Sequence, residues 1–299
     1  MHQPVTWIAW FLLVAGLACS RDADSPPEHG AVPDDDDVTA GDDDDDDGDD
    51  DDDDTDGQPD DDSAAEADGF PDYLTANDDY FITRINGVPE LDDETYRLAI
   101  TGLVDNPVEL TVDELRMRPS AEVMLTLECI GNPSTGKAFS TAVWEGFSVY
   151  GLLESLGIQG EATHARFASA DGYWSSLSLE QLQHEGVIGA LQMNGVDLPA
   201  DQGYPLRVVA PGYYGVKHPA WVTEIELINA PIDDFWEVGG WDCSPSMPVD
   251  SKFFFPTSGS DVAAGQPFEV GGAAFGGTRV DRVEISLDDG ESWLPTEVV

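Results

Sequence analysis

Basic residues are scarce in this sequence of 299 residues, which holds 12 Lys and Arg against 61 Asp and Glu and carries a formal net charge of −49. Binding to nucleic acid needs clustered Lys and Arg, so nucleic acid is excluded as a partner. Cysteine is equally rare, with three residues at Cys19, Cys129 and Cys243. The sequence has no C-x-x-C, C-x-x-C-H or H-E-x-x-H motif, which excludes covalently attached haem and the zinc sites that those motifs build.

The sequence also lacks an apolar run long enough to cross a membrane. Residues 5–18 are apolar over 14 positions, whereas a spanning helix needs about 20. Such a run is typical of an export signal, and its end, LVAGLAC, resembles a bacterial lipoprotein signal in which the cysteine, here Cys19, is lipidated. We expect residues 1–19 to direct export to the periplasm or cell envelope, with or without a lipid anchor at Cys19. A start codon assigned too late is the alternative.

Residues 20–69 contain almost no apolar side chains. They hold 25 acidic residues against one base, Arg21, and include two runs of six aspartates at Asp42–Asp47 and Asp49–Asp54. Such a segment cannot bury enough surface to offset its ordering entropy, and its like charges extend it. We therefore predict a disordered acidic tether. Calcium binding is the alternative, because carboxylate ligands are abundant, but the D-x-D-x-D-G loop pattern with a distal Glu is absent.

The chain from about residue 70 onward has the composition of a folded body. Residues 70–299 keep 36 acidic and 11 basic residues, a net charge of −25, together with the Trp, Phe, Leu and Val that a core needs. Thr111–Leu115 carries a capping-box pattern that predicts a helix start, and Ser148–Leu156 predicts an amphipathic helix. Alternating apolar residues are typical of strands, and they occur at Tyr80–Arg84, Tyr96–Gly102, Glu122–Cys129, Ala165–Ser169, Leu206–Ala210 and Ala220–Asn229. Without a regular βαβ rhythm, this mixture predicts an α+β fold.

The pattern changes to β only from about Met247. Strand-like segments at Gly265–Phe275, Arg279–Leu287 and Glu291–Pro295 are separated by turn signals, including Asp288–Gly290. Turn signals every 8–12 residues predict a β-sandwich. The segments before Val299 are fewer than the seven strands of a usual sandwich, so we expect a truncated domain; a degenerate remnant is the alternative.

Cys129 has the sequence context of a metal ligand. It ends an apolar strand and precedes Ile130-Gly131-Asn132-Pro133, a turn that exposes its sulfur. A thiolate in such a place is a soft ligand suited to a transition metal. From the residues alone, a buried structural thiol and a disulfide with Cys243 stay open as alternatives.

Two separated blocks resemble the sulfite-oxidase-type molybdopterin oxidoreductases. Residues 125–158 contain the Cys-x-Gly-Asn turn, a Trp and a Gly-x-x-hydrophobic-x-x-Leu-Leu-like helix, and residues 193–227 contain Met-Asn-Gly, Gly-Tyr-Pro-x-Arg and a Trp-x-x-x-Ile-Glu-Leu-like strand in the same order. Residues 260–295 resemble the start of the family's immunoglobulin-like dimerisation domain. The resemblance implies a sulfite-oxidase-like molybdopterin-binding fold at 70–246, followed by a partial β-sandwich at 247–299.

The resemblance also implies a cofactor, Mo-molybdopterin, with Cys129 as the protein ligand to molybdenum. It implies catalytic roles for Cys129, Arg84 and Lys137, and contacts to the cofactor from Asn86, Ser169, Asp171, Arg207, Lys217 and His218. Taken alone, Arg207 is expected to pair with a surface acid, and Lys217 and His218 to be solvated loop residues. The family dimerises through its C-terminal domain, so a homodimer is expected, or a monomer if this domain is incomplete.

Departures from the family pattern bear on the substrate. The arginine pair that binds the sulfite dianion in sulfite oxidases is replaced by Pro133-Ser134, and Lys137 is the nearest cation. We therefore expect a Mo-dependent enzyme that transfers an oxygen atom to or from a small substrate other than sulfite. It would use an external electron partner, because the chain has no haem or flavin segment. The alternative is a surface-anchored lipoprotein that keeps the fold as a binding module, because residues 1–18 lack the arginines of a twin-arginine export signal.

Overall fold

A computed structural model describes residues 73–134, 136–184, 186–241, 246–256, 259–261, 263 and 266–298, together with the backbone of residues 8–16. The predicted tether at 20–69, the lipidation site at Cys19 and the third cysteine, Cys243, lie outside these residues. In the part of the chain that is described, no helix has the length and apolar character needed to cross a bilayer. The backbone of Ile8–Gly16 forms a strand, and the export signal at residues 1–19 stays a prediction.

The described residues form many strands and short helices, which confirms the α+β fold class. The strands are β1 (Ile8–Gly16), β2 (Leu98–Gly102), β3 (Val108–Leu110), β4 (Ser120–Glu128), β5 (Phe139–Ser148), β6 (His164–Ser169), β7 (Trp174–Ser178), β8 (Ile188–Met193), β9 (Val196–Asp197), β10 (Arg207–Val209), β11 (Val222–Ile228), β12 (Asp250–Phe255), β13 (Pro267–Phe275), β14 (Glu284–Ile285), β15 (Leu294–Pro295) and β16 (Glu297–Val298). The α-helices are α1 (Val112–Arg116), α2 (Val149–Leu156), α3 (Leu179–Leu182) and α4 (Phe235–Val238), and 3₁₀ turns lie at Asn77–Asp79, Ala200–Gln202 and Gly215–Lys217.

Two sheets make up the larger body. One has the strand order β10-β8-β5-β4 with β9 beside β8, and the other has the order β3-β2-β11-β6-β7. The main hydrophobic core contains residues of both sheets, including Ile100, Phe147, Phe167, Val208 and Ile225. Burying these apolar side chains between the sheets supplies the main driving force for folding.

One sheet carries both blocks of the resemblance. β4 and β5, β5 and β8, and β8 and β10 are antiparallel pairs. Through β8 and β5, Arg207 of β10 lies level with Ala121 near the start of β4. Glu128, the last residue of β4, lies seven positions after Ala121, and Cys129 follows it directly. The two blocks therefore share one sheet, with Arg207 and Cys129 at different levels of it.

Several local predictions are confirmed. Leu98 and Ile100 of β2 are fully buried, as the alternation predicts. The capping box at α1 is present: the hydroxyl of Thr111 accepts a hydrogen bond from the amide of Glu114, whose carboxylate accepts one from the amide of Thr111. The strand suggested by the alternation at Tyr80–Arg84 is wrong, because this segment is irregular and pairs with no strand of the described chain.

The C-terminal segment is all β, as expected. β12 and β13 are antiparallel, β13 also pairs with β1, and β14 pairs with β15. The strand predicted over Arg279–Leu287 is shorter than expected and covers Glu284–Ile285. The ring of Phe139, at the start of β5, stacks on Phe275 of β13 with 5.2 Å between ring centroids and on Phe254 of β12 with 6.3 Å. This aromatic stack packs the C-terminal segment against the body formed by the two sheets. The contact lies close to Cys129, the residue that follows β4.

Candidate functional site

A cavity of about 230 Å³ lies beside Cys129, the residue that follows β4. Cys129 and Arg207 both line it, although they are 78 positions apart in the sequence. The other lining residues are Phe81, Ile82, Thr83, Arg84, Ile85, Leu127, Ile130, Gly131, Asp171, Tyr173, Asp201, Gln202, Gly215, Val216, His218, Pro219, Ala220, Trp221, Trp236 and Trp241. The segment Tyr80–Arg84 is thus part of the site wall instead of a strand.

Cys129 faces this cavity as a free cysteine. Its sulfur is therefore neither part of a disulfide nor enclosed by hydrocarbon. Its backbone amide donates to the carbonyl of Ala138 at 3.0 Å, and its carbonyl accepts from the amide of Asn132 at 2.9 Å. We call residues 129–138 the cysteine loop; Thr135 is not among the described residues. The loop holds the thiol at the edge of β4 without enclosing it.

The side chain of Asn132, the last residue of the Cys-x-Gly-Asn pattern, holds the cysteine loop together. Its side-chain amide donates to Oε1 of Glu128 at 2.8 Å, and its side-chain carbonyl accepts from the amide of Ala138 at 3.0 Å. The loop packs tightly here, since a Cβ atom on Gly136 would lie 2.0 Å from the Asn132 side-chain oxygen. Asn132 therefore joins both ends of the loop, and Gly136 leaves it the space to do so.

Arg207 is a partly buried cation with unused hydrogen-bonding capacity. Its Nη1 donates to the backbone carbonyl of Gln202 at 3.3 Å and to the side-chain oxygen of Gln202 at 3.2 Å, and its guanidinium lies 5.3 Å from the centre of the Trp144 ring. Its Nε is buried without a partner, and no described carboxylate forms an ion pair with it. Burial lowers the pKa of Arg207, and the nearby Tyr80 opposes that shift.

An anion in the cavity would satisfy this arginine. A buried charge is costly unless it is paired, and guanidinium groups bind phosphate through paired hydrogen bonds. The expectation that Arg207 pairs with a surface acid is therefore wrong for the described residues. A soft thiol and an unpaired guanidinium on one cavity fit a ligand that carries both a transition metal and a phosphate, as the predicted cofactor does.

His218 is a neutral part of the cavity wall. Its Nε2–H donates to the carbonyl of Tyr213 at 3.1 Å, and its Nδ1 accepts from the amide of Ala210 at 3.4 Å. Burial, and secondarily the positive charge of Arg207, lower the pKa of His218 to about 3. The imidazole therefore adds polar surface but no positive charge to the site at neutral pH.

The lowered pKa of His218 predicts a specific pH dependence of stability. Between about pH 6.5 and pH 3 the unfolded chain binds a proton at this residue and the folded chain does not, so stability falls as the pH falls. From pH 6 to pH 5, the wild type should lose about 1 kcal/mol more unfolding free energy than a His218→Gln variant. Urea titrations of the cofactor-free protein at both pH values measure this difference. Equal losses in the two proteins would contradict the assignment.

Arg84 and Asp171 also line the cavity, as the resemblance implies. Asn86 is not one of the described lining residues; its side-chain amide donates to the carbonyl of Asp171 at 2.7 Å. The backbone amide of Tyr173 in turn donates to Oδ1 of Asp171 at 3.0 Å. Asn86 thus holds the loop that contains Asp171 in place by a hydrogen bond. It supports the cavity wall without lining the cavity itself.

The structure does not bring the other predicted site residues to the cavity surface. The ammonium of Lys217 is buried in an ion pair with Asp234 at 2.5 Å, and Lys217 is not one of the described lining residues. Its expected role as a solvated loop residue is wrong for the same reason. Ser169 has a buried hydroxyl without a partner but does not line the cavity, and Lys137 is exposed outside it.

Aromatic residues form a part of the site that the sequence patterns did not assign to it. Tyr173, Trp236 and Trp241 line the cavity, and the rings of Trp236 and Trp241 lie 6.2 Å apart. The side chain of Trp241 is 48% exposed. The aromatic residues that cluster around α4 are the sequence signal for this wall, because large exposed aromatic side chains mark binding surfaces.

Two family models match the chain. The model described as oxidoreductase molybdopterin binding domain matches residues 85–236, and the model described as Mo-co oxidoreductase dimerisation domain matches residues 243–299. The first match contains the strand before Cys129, the cysteine loop and Arg207. The second contains β12 and β13.

Curated relatives match most of the chain. The mitochondrial sulfite oxidase of Macaca fascicularis is 32% identical over 267 residues, covering 74% of this chain and 48% of that enzyme. The sulfite oxidase of Arabidopsis thaliana is 30% identical, with 74% of this chain and 69% of the relative covered. The NADPH nitrate reductase of Aspergillus niger is also 30% identical, but only 32% of its length is covered. The chain thus spans about half the length of the mitochondrial sulfite oxidase that it matches.

A solved structure shares the fold. The crystal structure of the sulfane dehydrogenase SoxCD from Paracoccus pantotrophus aligns with a TM-score of 0.70 over 76% of this chain and 65% of that chain, at 24% identity. This likeness confirms the predicted fold, and the match to the dimerisation-domain model agrees with the β-only C-terminal segment.

Proposed function

We propose that this chain, which belongs to the sulfite-oxidase-type family of molybdopterin-dependent oxidoreductases, transfers an oxygen atom to or from a small substrate in the cavity beside Cys129. One observation carries the proposal: the free thiol of Cys129 and the unpaired guanidinium of Arg207 face the same cavity. A structural thiol would be enclosed, and a structural arginine would be paired. Here both groups are available to one ligand.

The described side chains fit the family's cofactor. When bound, Mo-molybdopterin supplies two-electron redox chemistry coupled to oxygen-atom transfer. Cys129 would bind its metal, and Arg207 would bind its phosphate. His218 keeps a polar, uncharged edge on the cavity, because its pKa is about 3. Trp236 and Trp241 line the cavity with apolar surface, which would limit the entry of water.

We infer that the substrate is not a small dianion such as sulfite. The cavity presents two acids, Asp171 and Asp201, against two cations, Arg84 and Arg207. Arg207 would be neutralised by the cofactor phosphate, which leaves the exposed Arg84. Lys137, the nearest cation in the sequence, lies outside the cavity wall. A negatively charged pocket surface weakens the binding of anions, so an uncharged oxygen donor or acceptor is favoured.

The partners and the location are proposed from the family, the charge of the chain and its N-terminal sequence. We propose an external electron-transfer partner with a basic docking surface, because residues 70–299 carry a net charge of −25. We further propose a homodimer formed through the segment that matches the dimerisation-domain model, residues 243–299. Export, with a lipid anchor at Cys19, remains part of the same proposal.

Metal analysis and turnover of the full chain, produced in cells that make the cofactor, test the function. We expect about one molybdenum per chain, as a single cysteine-bound cofactor requires. With an artificial electron mediator, we expect turnover of an uncharged oxygen donor such as dimethyl sulfoxide to exceed that of sulfite. A folded chain without molybdenum would contradict the proposal and support the binding-module alternative. Preferred turnover of sulfite would contradict the substrate inference alone.

A further inference from the structure

A buried cluster of charges lies behind the cysteine loop, outside the cavity wall. Lys252 of β12 is 4% exposed, and its ammonium lies 3.1 Å from Oε1 of Glu128 and 2.7 Å from Oδ2 of Asp250. The same ammonium donates to the carbonyl of Pro133 at 3.3 Å. Glu128 is 2% exposed. The cluster therefore joins the C-terminal segment to β4 and to the cysteine loop, with Lys252 and Glu128 buried and Asp250 partly exposed.

Lys252 contacts the chain on both sides of the Cys129 thiol. Glu128 immediately precedes Cys129, and Pro133 follows it by four residues. Asn132 donates to the same oxygen of Glu128 from inside the loop, and the amide of Gly136 donates to the carbonyl of Pro133 at 2.7 Å. Lys252 thus donates to two acceptors, the Glu128 carboxylate and the Pro133 carbonyl, that also accept hydrogen bonds from within the loop. One acceptor lies on each side of Cys129 in the sequence.

This arrangement is more specific than packing alone requires. Burying a lysine and a glutamate carries a desolvation cost that the ion pair repays only with good geometry and further hydrogen bonds. Apolar side chains of similar size would stabilise an interface as well or better. A lysine, however, donates in three directions at once. Lys252 can therefore bind the carboxylates of Glu128 and Asp250 and the carbonyl of Pro133 at the same time.

We propose that Lys252 is a positioning residue for Cys129, so that docking of the C-terminal segment fixes the orientation of the thiol that binds the metal. The nature of the metal rests on the proposed function, but the order of the loop does not. The C-terminal segment would then act on the site in the same subunit, in addition to any role in dimerisation. Without Lys252, the carboxylate of Glu128 and the carbonyl of Pro133 would lose their shared donor, and the loop would open more often.

Hydrogen exchange of the cofactor-free full chain tests the order of the loop. The amides of Cys129, Asn132, Gly136 and Ala138 all donate hydrogen bonds within the loop. In Lys252→Met, these amides should exchange at least about tenfold faster, since local opening becomes easier, while the amides of β2 and β11 keep their wild-type rates. Lys252→Arg should restore most of the protection. Arg279→Met is the matched control in the same segment, because Arg279 is 72% exposed and pairs with the exposed Asp281.

The loaded enzyme supplies a second, spectroscopic readout. A metal–thiolate unit has charge-transfer absorption whose intensity depends on the orientation of the sulfur, so this absorption should change in Lys252→Met and return in Lys252→Arg. Loop exchange within twofold of wild type in a folded Lys252→Met protein would overturn the proposal. If that variant does not fold, Glu128→Gln is measured in its place, and unchanged exchange there has the same meaning. Failure of the proposed function would show separately, as a wild-type chain that exchanges as described but holds no molybdenum.

Discussion

Replacing Arg207 by methionine should release the cofactor while changing the stability of the cofactor-free fold little, because the loss of an unpaired charge offsets the loss of its two hydrogen bonds to Gln202. Loss of one partner from a buried, hydrogen-bonded charge pair costs about 2–5 kcal/mol in affinity, so the dissociation constant should rise at least about 30-fold. In the cofactor-free protein the same arginine is a partly buried charge without a carboxylate partner among the described residues, and desolvation lowers its pKa. Methionine removes that unpaired charge and can still pack on Trp144.

Two measurements on one variant separate the roles of Arg207. Molybdenum content after dialysis reports the affinity for the cofactor, and urea unfolding of the cofactor-free chain reports stability. Arg166→Met is the matched control: Arg166 lies on β6, is partly exposed and contacts Glu224 at 3.8 Å and Glu226 at 3.6 Å. Removal of such a surface pair should change stability by about 1 kcal/mol or less and leave molybdenum content unchanged. An Arg207→Met protein that keeps its molybdenum and loses stability would show that Arg207 is structural.

Local patterns were sufficient to predict parts of the fold that depend on neighbouring residues. The capping box at Thr111 and Glu114 involves atoms three residues apart, and the structure contains it. The exposed turn after β4 was likewise predictable, because Cys129 ends an apolar run and a glycine and a proline follow. Such features form wherever the same few residues occur, with little contribution from the rest of the chain.

Pairings over long distances could not be predicted in this way. Lys217 and His218 are neighbours in one loop and had the same expected role, yet His218 lines the cavity and Lys217 pairs with Asp234, 17 positions later. Lys252 contacts Glu128 across the boundary between the two matched segments. The sequence shows many acids near any given lysine, and only the packing of strands selects one of them.

The same limit explains the misassigned segment Tyr80–Arg84. Its alternation is real, since Tyr80 is buried and Ile82 is exposed. A strand also needs a neighbouring edge that can accept its backbone hydrogen bonds. Here the segment lies along the cavity, where Phe81 and Arg84 contribute to the wall. Period-two patterns therefore report which side chains face the protein, but they do not report what the backbone pairs with.

Replacing Asp234 by alanine should cause the largest loss of stability among the variants considered. Asp234 is fully buried and accepts hydrogen bonds from the hydroxyl of Ser175 at 2.8 Å, the hydroxyl of Ser176 at 2.9 Å and the ammonium of Lys217 at 2.5 Å. Alanine leaves the Lys217 charge buried without a counterion, which costs about 3–5 kcal/mol. Urea unfolding of the cofactor-free chain, followed by tryptophan fluorescence, measures the loss.

A double variant tests whether the unpaired charge of Lys217 causes that loss of stability. Lys217→Met added to Asp234→Ala removes the unpaired ammonium, so the double variant should be at least about 1 kcal/mol more stable than Asp234→Ala alone. Asp233→Ala is the matched control, since the neighbouring aspartate is exposed and should contribute within about 0.5 kcal/mol. Stability losses of the two single variants that simply add in the double variant would contradict the ion-pair account.

Asp234 directly precedes α4, which carries Trp236 into the cavity wall. The destabilised Asp234→Ala variant should therefore also bind substrate more weakly.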